Sequence, residues 1–186
     1  MRTPCLLAVA LMLGHSVGCV SNVRPLSDEH TSTPDLRLLG TWEATQTDPD
    51  NRLKVAIRPK ANSNTVLQAT VQQGGKTETW DLFCTKIGDN YFASTAQEGD
   101  KEYTINKYEL SDKKTLKILP LDTQFFEAAV ADKRLKGSIT SGGPCIGGGV
   151  SLDEPAQNLR TFLEKYGEKC VGKGPPITLV RIKDAE

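Results

Sequence analysis

The chain has 186 residues, enough for one core of ordinary size and hardly enough for two. Its 23 lysines and arginines balance 23 aspartates and glutamates, which argues against nucleic acid as a partner, because phosphate neutralisation needs a basic patch. The only histidines, His15 and His30, lie near the N-terminus, so the rest of the chain has no histidine acid–base chemistry and no histidine metal ligands.

Residues 1–18 read as an export signal. Arg2 and the free amino group form a positive start, and Cys5 to Leu13 is an unbroken apolar run of nine residues. As a helix that run spans ~14 Å, well short of the ~30 Å hydrocarbon core of a bilayer, so it is a signal core and not a membrane span. Ser16-Val17-Gly18-Cys19 follows. Small residues before a cysteine resemble the lipobox of bacterial lipoproteins. The resemblance implies that Cys19 becomes the first residue of the mature chain and carries lipid, and so anchors it to a membrane. Ser16 departs from the leucine usual there, and ordinary cleavage after Gly18 is the alternative. Val20 follows the cysteine where an aspartate resembles a retention signal of the inner membrane. The expected location is therefore the cell envelope, at the outer membrane rather than the inner. Residues 20–35, with Pro25, Pro34 and many hydroxyls, have the composition of a polar tether.

Residues 36–186 read as a single β-rich domain. Leu39 to Ala44 leads into a first strand. Leu53, Val55 and Ile57 alternate with polar or small residues as a half-buried strand that Pro59 ends. Leu67, Ala69 and Val71 share one face of the next strand, and Gly74-Gly75 marks a hairpin turn. Trp80, Leu82 and Cys84 share a face of the strand after it, and Tyr91 to Ala96 follows a turn at Gly88-Asp89-Asn90. In Lys101 to Leu110 the apolar parity slips between Ile105 and Tyr108, which predicts a bulge or twist. Leu116 and Ile118 belong to a further strand. A helix capped by Asp122 is predicted over 122–132, then a short strand from Leu135 to Thr140. Leu159, Phe162, Leu163 and Tyr166 lie on one helical face, in a helix capped by Ser151 or Asp153 and ended by Gly167. Ile177 to Lys183 is the last strand. Strands spaced this evenly suggest an antiparallel meander that closes to hide its edges.

Residue constellations for catalysis are mostly missing. The glycine-rich stretch at 142–149 lacks the Gly-Lys-Ser/Thr of a phosphate loop, so it reads as a connection. No spacing suits zinc, no cofactor is called for, and nothing supports an enzyme. With lipid on Cys19, the cysteines Cys84, Cys145 and Cys170 remain for one disulfide and one buried thiol. Cys145 and Cys170 flank the second helix, with flexible glycines beside Cys145, and are the expected pair. Pairing through Cys84 and three free thiols are the alternatives.

Gly40-Thr41-Trp42 resembles the Gly-x-Trp of the first strand in lipocalins and related calycin barrels. The order of meander, helix and final strand is similar too. The resemblance implies a mainly β fold, an antiparallel lipocalin-like barrel of eight or nine strands with two short helices, the second before the last strand. It implies that Trp42 plugs one end, with Arg181 stacked on it. The expected function is that of a binding module for a small apolar ligand or lipid, with Trp80, Tyr91 and Tyr103 as pocket candidates. The alternative is a structural or protein-interaction module of the envelope with a filled core.

Overall fold

The computed structural model describes residues 19–45, 52–140 and 149–184. Seven strands form an up-and-down meander: β2 (Gly40–Ala44), β3 (Lys54–Pro59), β4 (Leu67–Gln73), β5 (Lys76–Ile87), β6 (Asn90–Gln97), β7 (Tyr103–Ser111) and β8 (Thr115–Pro120). The eighth, β11 (Ile177–Lys183), pairs antiparallel with both β8 and β2 and closes the barrel. The fold is thus a closed eight-stranded, lipocalin-like antiparallel barrel. Between β8 and β11 the chain forms helix α1 (Thr123–Ala131), strands β9 (Gly137–Thr140) and β10 (Gly149–Leu152), and helix α2 (Ala156–Tyr166).

Local chemistry sets the turns and caps. Gly74 and Gly75 both have positive φ, +54° and +75°, so a two-residue turn joins Gln73 to Lys76 with the twist that antiparallel neighbours need. The Asp122 carboxylate accepts from the Phe125 N–H at 3.1 Å and starts α1. The second helix is not capped as expected. Ser151 lies in β10, α2 begins after Pro155 without a side-chain cap, and the Glu154 carboxylate accepts instead from the Lys136 N–H and the Asn158 amide.

Two apolar cores share one wall. The barrel interior takes Leu38, Trp42, Ile57, Leu82, Leu116 and Leu179. The second core lies outside β5–β7, where Ile87, Phe92 and Ile105 meet Phe126 of α1 and Leu159 and Leu163 of α2. Strand β7 is therefore buried on both faces, with Ile105 and Tyr108 pointing opposite ways. The parity slip marks this two-sided burial and no bulge, since the β6–β7 register runs unbroken from Tyr91↔Tyr108 to Thr95↔Thr104.

Residues 19–35 are no tether. Strand β1 (Cys19–Asn22) pairs with β10 in parallel and with β7 antiparallel. Val20 and Leu26 are buried in the second core. Asn22 is fully buried, donates to the Arg24 and Glu154 carbonyls at 2.8 and 3.0 Å, and accepts from the Glu154 N–H at 2.9 Å. The Ser94 hydroxyl accepts from the Leu26 N–H, and Ser32 exchanges hydrogen bonds with the Cys84 backbone. Polar side chains that suggested solvation instead satisfy buried backbone groups, which lets the segment dock without orphaned donors.

The Cys145–Cys170 disulfide is not formed. Cys170 is a free thiol with no exposure, packed in the second core just after α2, and Cys84 is also free and buried. Cys145 lies outside the described residues. Burial pushes the Cys170 thiol up to about 12, helped by the charges of Asp122 and Glu168.

Candidate functional site

The two ends of the barrel differ. At one end the chain makes a short 3-10 turn, Leu36–Leu38, and enters β2. There Trp42 has no exposed surface and donates its indole N–H to the Leu38 carbonyl at 2.8 Å. Arg181, its register partner on β11, lays its guanidinium over the indole ring at 4.5 Å and donates to the Arg37 carbonyl. The plug expected of Trp42 and Arg181 is present.

Above that plug the barrel is hollow. A cavity of about 220 Å³ runs towards the opposite end, where Cys19, Pro120 and Ile177 line it. Its walls are mostly aliphatic, with Trp80 and the ring of Tyr108 among them. The described lining has no aspartate, glutamate, lysine, arginine or histidine. Its polar side chains lie mainly on one wall: Thr104, Asn106 and Tyr108 from β7, with Thr95 from the neighbouring β6. Thr95 donates to the Thr104 carbonyl at 3.5 Å, and the Tyr108 hydroxyl donates to Asp35 at 3.1 Å. The Asn106 amide makes no hydrogen bond among the described residues.

A second, polar pocket of about 370 Å³ lies at the plugged end, lined by Asp35, Arg37, Lys86, Tyr91, Arg160 and the edge of Tyr108, among others. Arg37 holds Asp35 with a 2.7 Å ion pair and covers the Tyr91 ring at 4.7 Å. Burial pushes the Asp35 carboxyl up, but the hydrogen bonds from Arg37 outweigh it and hold the group below the usual carboxylate range. Burial raises the Tyr108 hydroxyl, as do the neighbouring Cys84 and Asp35, so it stays a donor. Burial likewise raises the Cys84 thiol, which makes it inert rather than nucleophilic.

Of the pocket candidates, Trp80 lines the cavity. Tyr91 points inward but below the cavity, into the polar pocket at the plug. Tyr103 is on the outer face, because its neighbour Thr104 takes the inward position, and it stacks edge-on against Phe83 at 5.7 Å between ring centres. The polar wall on β7 escaped the sequence reading. Its signal was the inward parity of Tyr108, which extends to Asn106 and Thr104 once the strand is known to be regular. Cys19 lines the cavity and is disulfide-bonded.

Among the described residues no cluster of His, Cys, Asp and Glu is placed to hold a metal ion, and no helix is long and apolar enough to cross a membrane. No family model, curated protein or solved structure matches the chain.

Proposed function

We propose that the chain is an exported binding protein of the bacterial envelope whose barrel takes up a small apolar ligand. The observation that carries this reading is the cavity of about 220 Å³ with its mostly aliphatic walls. A well-packed interior leaves few voids larger than a water molecule, so a space of this size inside a closed barrel is a binding feature before it is a packing fault. For scale, a dry apolar cavity of ~150 Å³ accommodates benzene. The test is native mass spectrometry of the folded protein with organic extraction of whatever co-purifies, alongside Trp80 fluorescence during titration with an apolar probe. A bound apolar compound, or saturable quenching that Trp80→Phe abolishes, supports the reading. A clean mass with no response to any probe returns the protein to the alternative of a structural or interaction module.

The N-terminal signal supports export, and the resemblance of Ser16-Val17-Gly18-Cys19 to a lipobox supports anchoring to the outer membrane through lipid on Cys19. Lipid and disulfide draw on one sulfur, so an anchored molecule and a disulfide-bonded one are different products of the same thiol. Metabolic labelling with palmitate, wild type against Cys19→Ser, separates them. Label on the wild type alone means anchoring. An unlabelled wild type whose mass falls by one signal peptide and rises by two hydrogens on reduction means secretion with the disulfide intact.

A further inference from the structure

We infer that the barrel selects an uncharged ligand of about nine non-hydrogen atoms carrying one hydrogen-bonding group, and that Asn106 is the residue that receives that group. The inference rests on the proposed ligand-binding reading and makes it specific. Size comes first. Scaling from benzene in ~150 Å³, the cavity of about 220 Å³ takes roughly nine non-hydrogen atoms.

Charge comes second. The described lining holds no cation or carboxylate, so an ionised ligand inside would leave water without a partner. Burying an unpaired ion is far costlier than the gain from its apolar tail, and the ligand would be rejected or neutralised first. This separates the cavity from a fatty-acid site, which would need a cation within reach of the carboxylate. Arg37, Lys86 and Arg160 do not line the cavity; they line the other pocket, which shares Tyr108 alone with it.

The polar handle comes third. Tyr108 spends its hydroxyl on Asp35, and Thr95 bonds the Thr104 backbone. The Asn106 carboxamide and the Thr104 hydroxyl have no such partner among the described residues, and Asn106, with twice the hydrogen-bonding groups, lies one inward position deeper on β7 than Thr104. Asn106 lies between Ala93 on β6 and Pro120 on β8, whose side chains offer it nothing to bond. A bare amide facing an aliphatic cavity is destabilising unless something bonds it. Its carboxamide both donates and accepts, so it suits an alcohol, an aldehyde, a ketone or an amide.

The experiment uses the mature protein with three probes of one chain length: 1-octanol, 1-chlorooctane and octanoate, followed by calorimetry at pH 7. 1-Octanol should bind at least about 100-fold more tightly than octanoate, the penalty expected of an unpaired buried carboxylate. Octanoate binding should return at about pH 4, where its carboxyl is largely protonated. 1-Octanol should also bind about three- to ten-fold more tightly than 1-chlorooctane, the gain of one net hydrogen bond. Asn106→Leu, of similar volume, should erase that last preference while still binding 1-chlorooctane. Equal binding of octanoate and 1-octanol at pH 7 would overturn the inference and leave apolar binding standing. A preference unchanged in Asn106→Leu would overturn the role of Asn106. Failure of all three probes to bind would overturn the binding reading itself. The selectivity among probes needs only the wild-type protein, so a misfolded variant does not decide the outcome.

Discussion

Removing Trp42 tests the plug at the base of the barrel. The side chain has no exposed surface, and truncating a fully buried tryptophan to alanine costs about 3–5 kcal/mol, against a typical domain stability of ~5–15 kcal/mol. The structure divides that loss into separable parts. Trp42→Phe keeps an aromatic ring in the barrel but removes the indole N–H, leaving the buried Leu38 carbonyl without its 2.8 Å donor, for about 1–3 kcal/mol. Arg181→Met keeps an apolar stem over the ring but removes the cation at 4.5 Å, worth about 0.5–2 kcal/mol. The two sites touch, so Trp42→Phe and Arg181→Met should be non-additive in a double-mutant cycle. Urea denaturation by far-ultraviolet circular dichroism reads each loss as a lower midpoint at constant slope. A Trp42→Ala protein that loses less than about 1 kcal/mol would refute the plug, because no fully buried tryptophan is removed so cheaply.

Three further outcomes are expected. Asn22→Leu should lower the stability by about 1–3 kcal/mol, since the Glu154 N–H and two carbonyls lose their partner; a thermal melt unchanged in this variant would restore the tether. The Cys170 thiol is raised on folding, so its contribution is complete below pH 9 and is lost as the pH climbs towards about 12. The stability gap between wild type and Cys170→Ala should therefore narrow from pH 7 to pH 11, and iodoacetamide should reach neither Cys170 nor Cys84 without denaturant. Lys107, with a side chain only 5% exposed, is held by Glu168 and Glu109 at the protein edge. Glu168→Gln should destabilise by ~1 kcal/mol by leaving a buried cation half-paired, whereas Lys107→Met should be neutral or stabilising in the same melt.

Much of the barrel was legible because alternation reports burial on one face. Leu53, Val55 and Ile57 alternate with their neighbours, and β3 lies where that pattern places it. Gly74-Gly75 and Asp122 likewise mark a turn and a helix start through chemistry confined to a few residues. The resemblance of Gly40-Thr41-Trp42 to the lipocalin triplet implied a buried tryptophan under an arginine, and Arg181 meets Trp42 across the paired strands β2 and β11. Tertiary structure decided the rest. Nothing local distinguishes a polar tether from a polar segment whose side chains serve distant backbone, and Asn22 meets Glu154 across 132 residues. The inward or outward sense of Tyr103 depends on which strand face the helices cover, and β7 is covered on both. Cys170 joins an apolar core instead of a disulfide because the chain after α2 turns beneath Asp122, whose N–H bonds the Cys170 carbonyl at 2.8 Å. The hollow itself arises where eight strands leave more space than their inward side chains fill, a sum over the whole barrel that no segment of sequence contains.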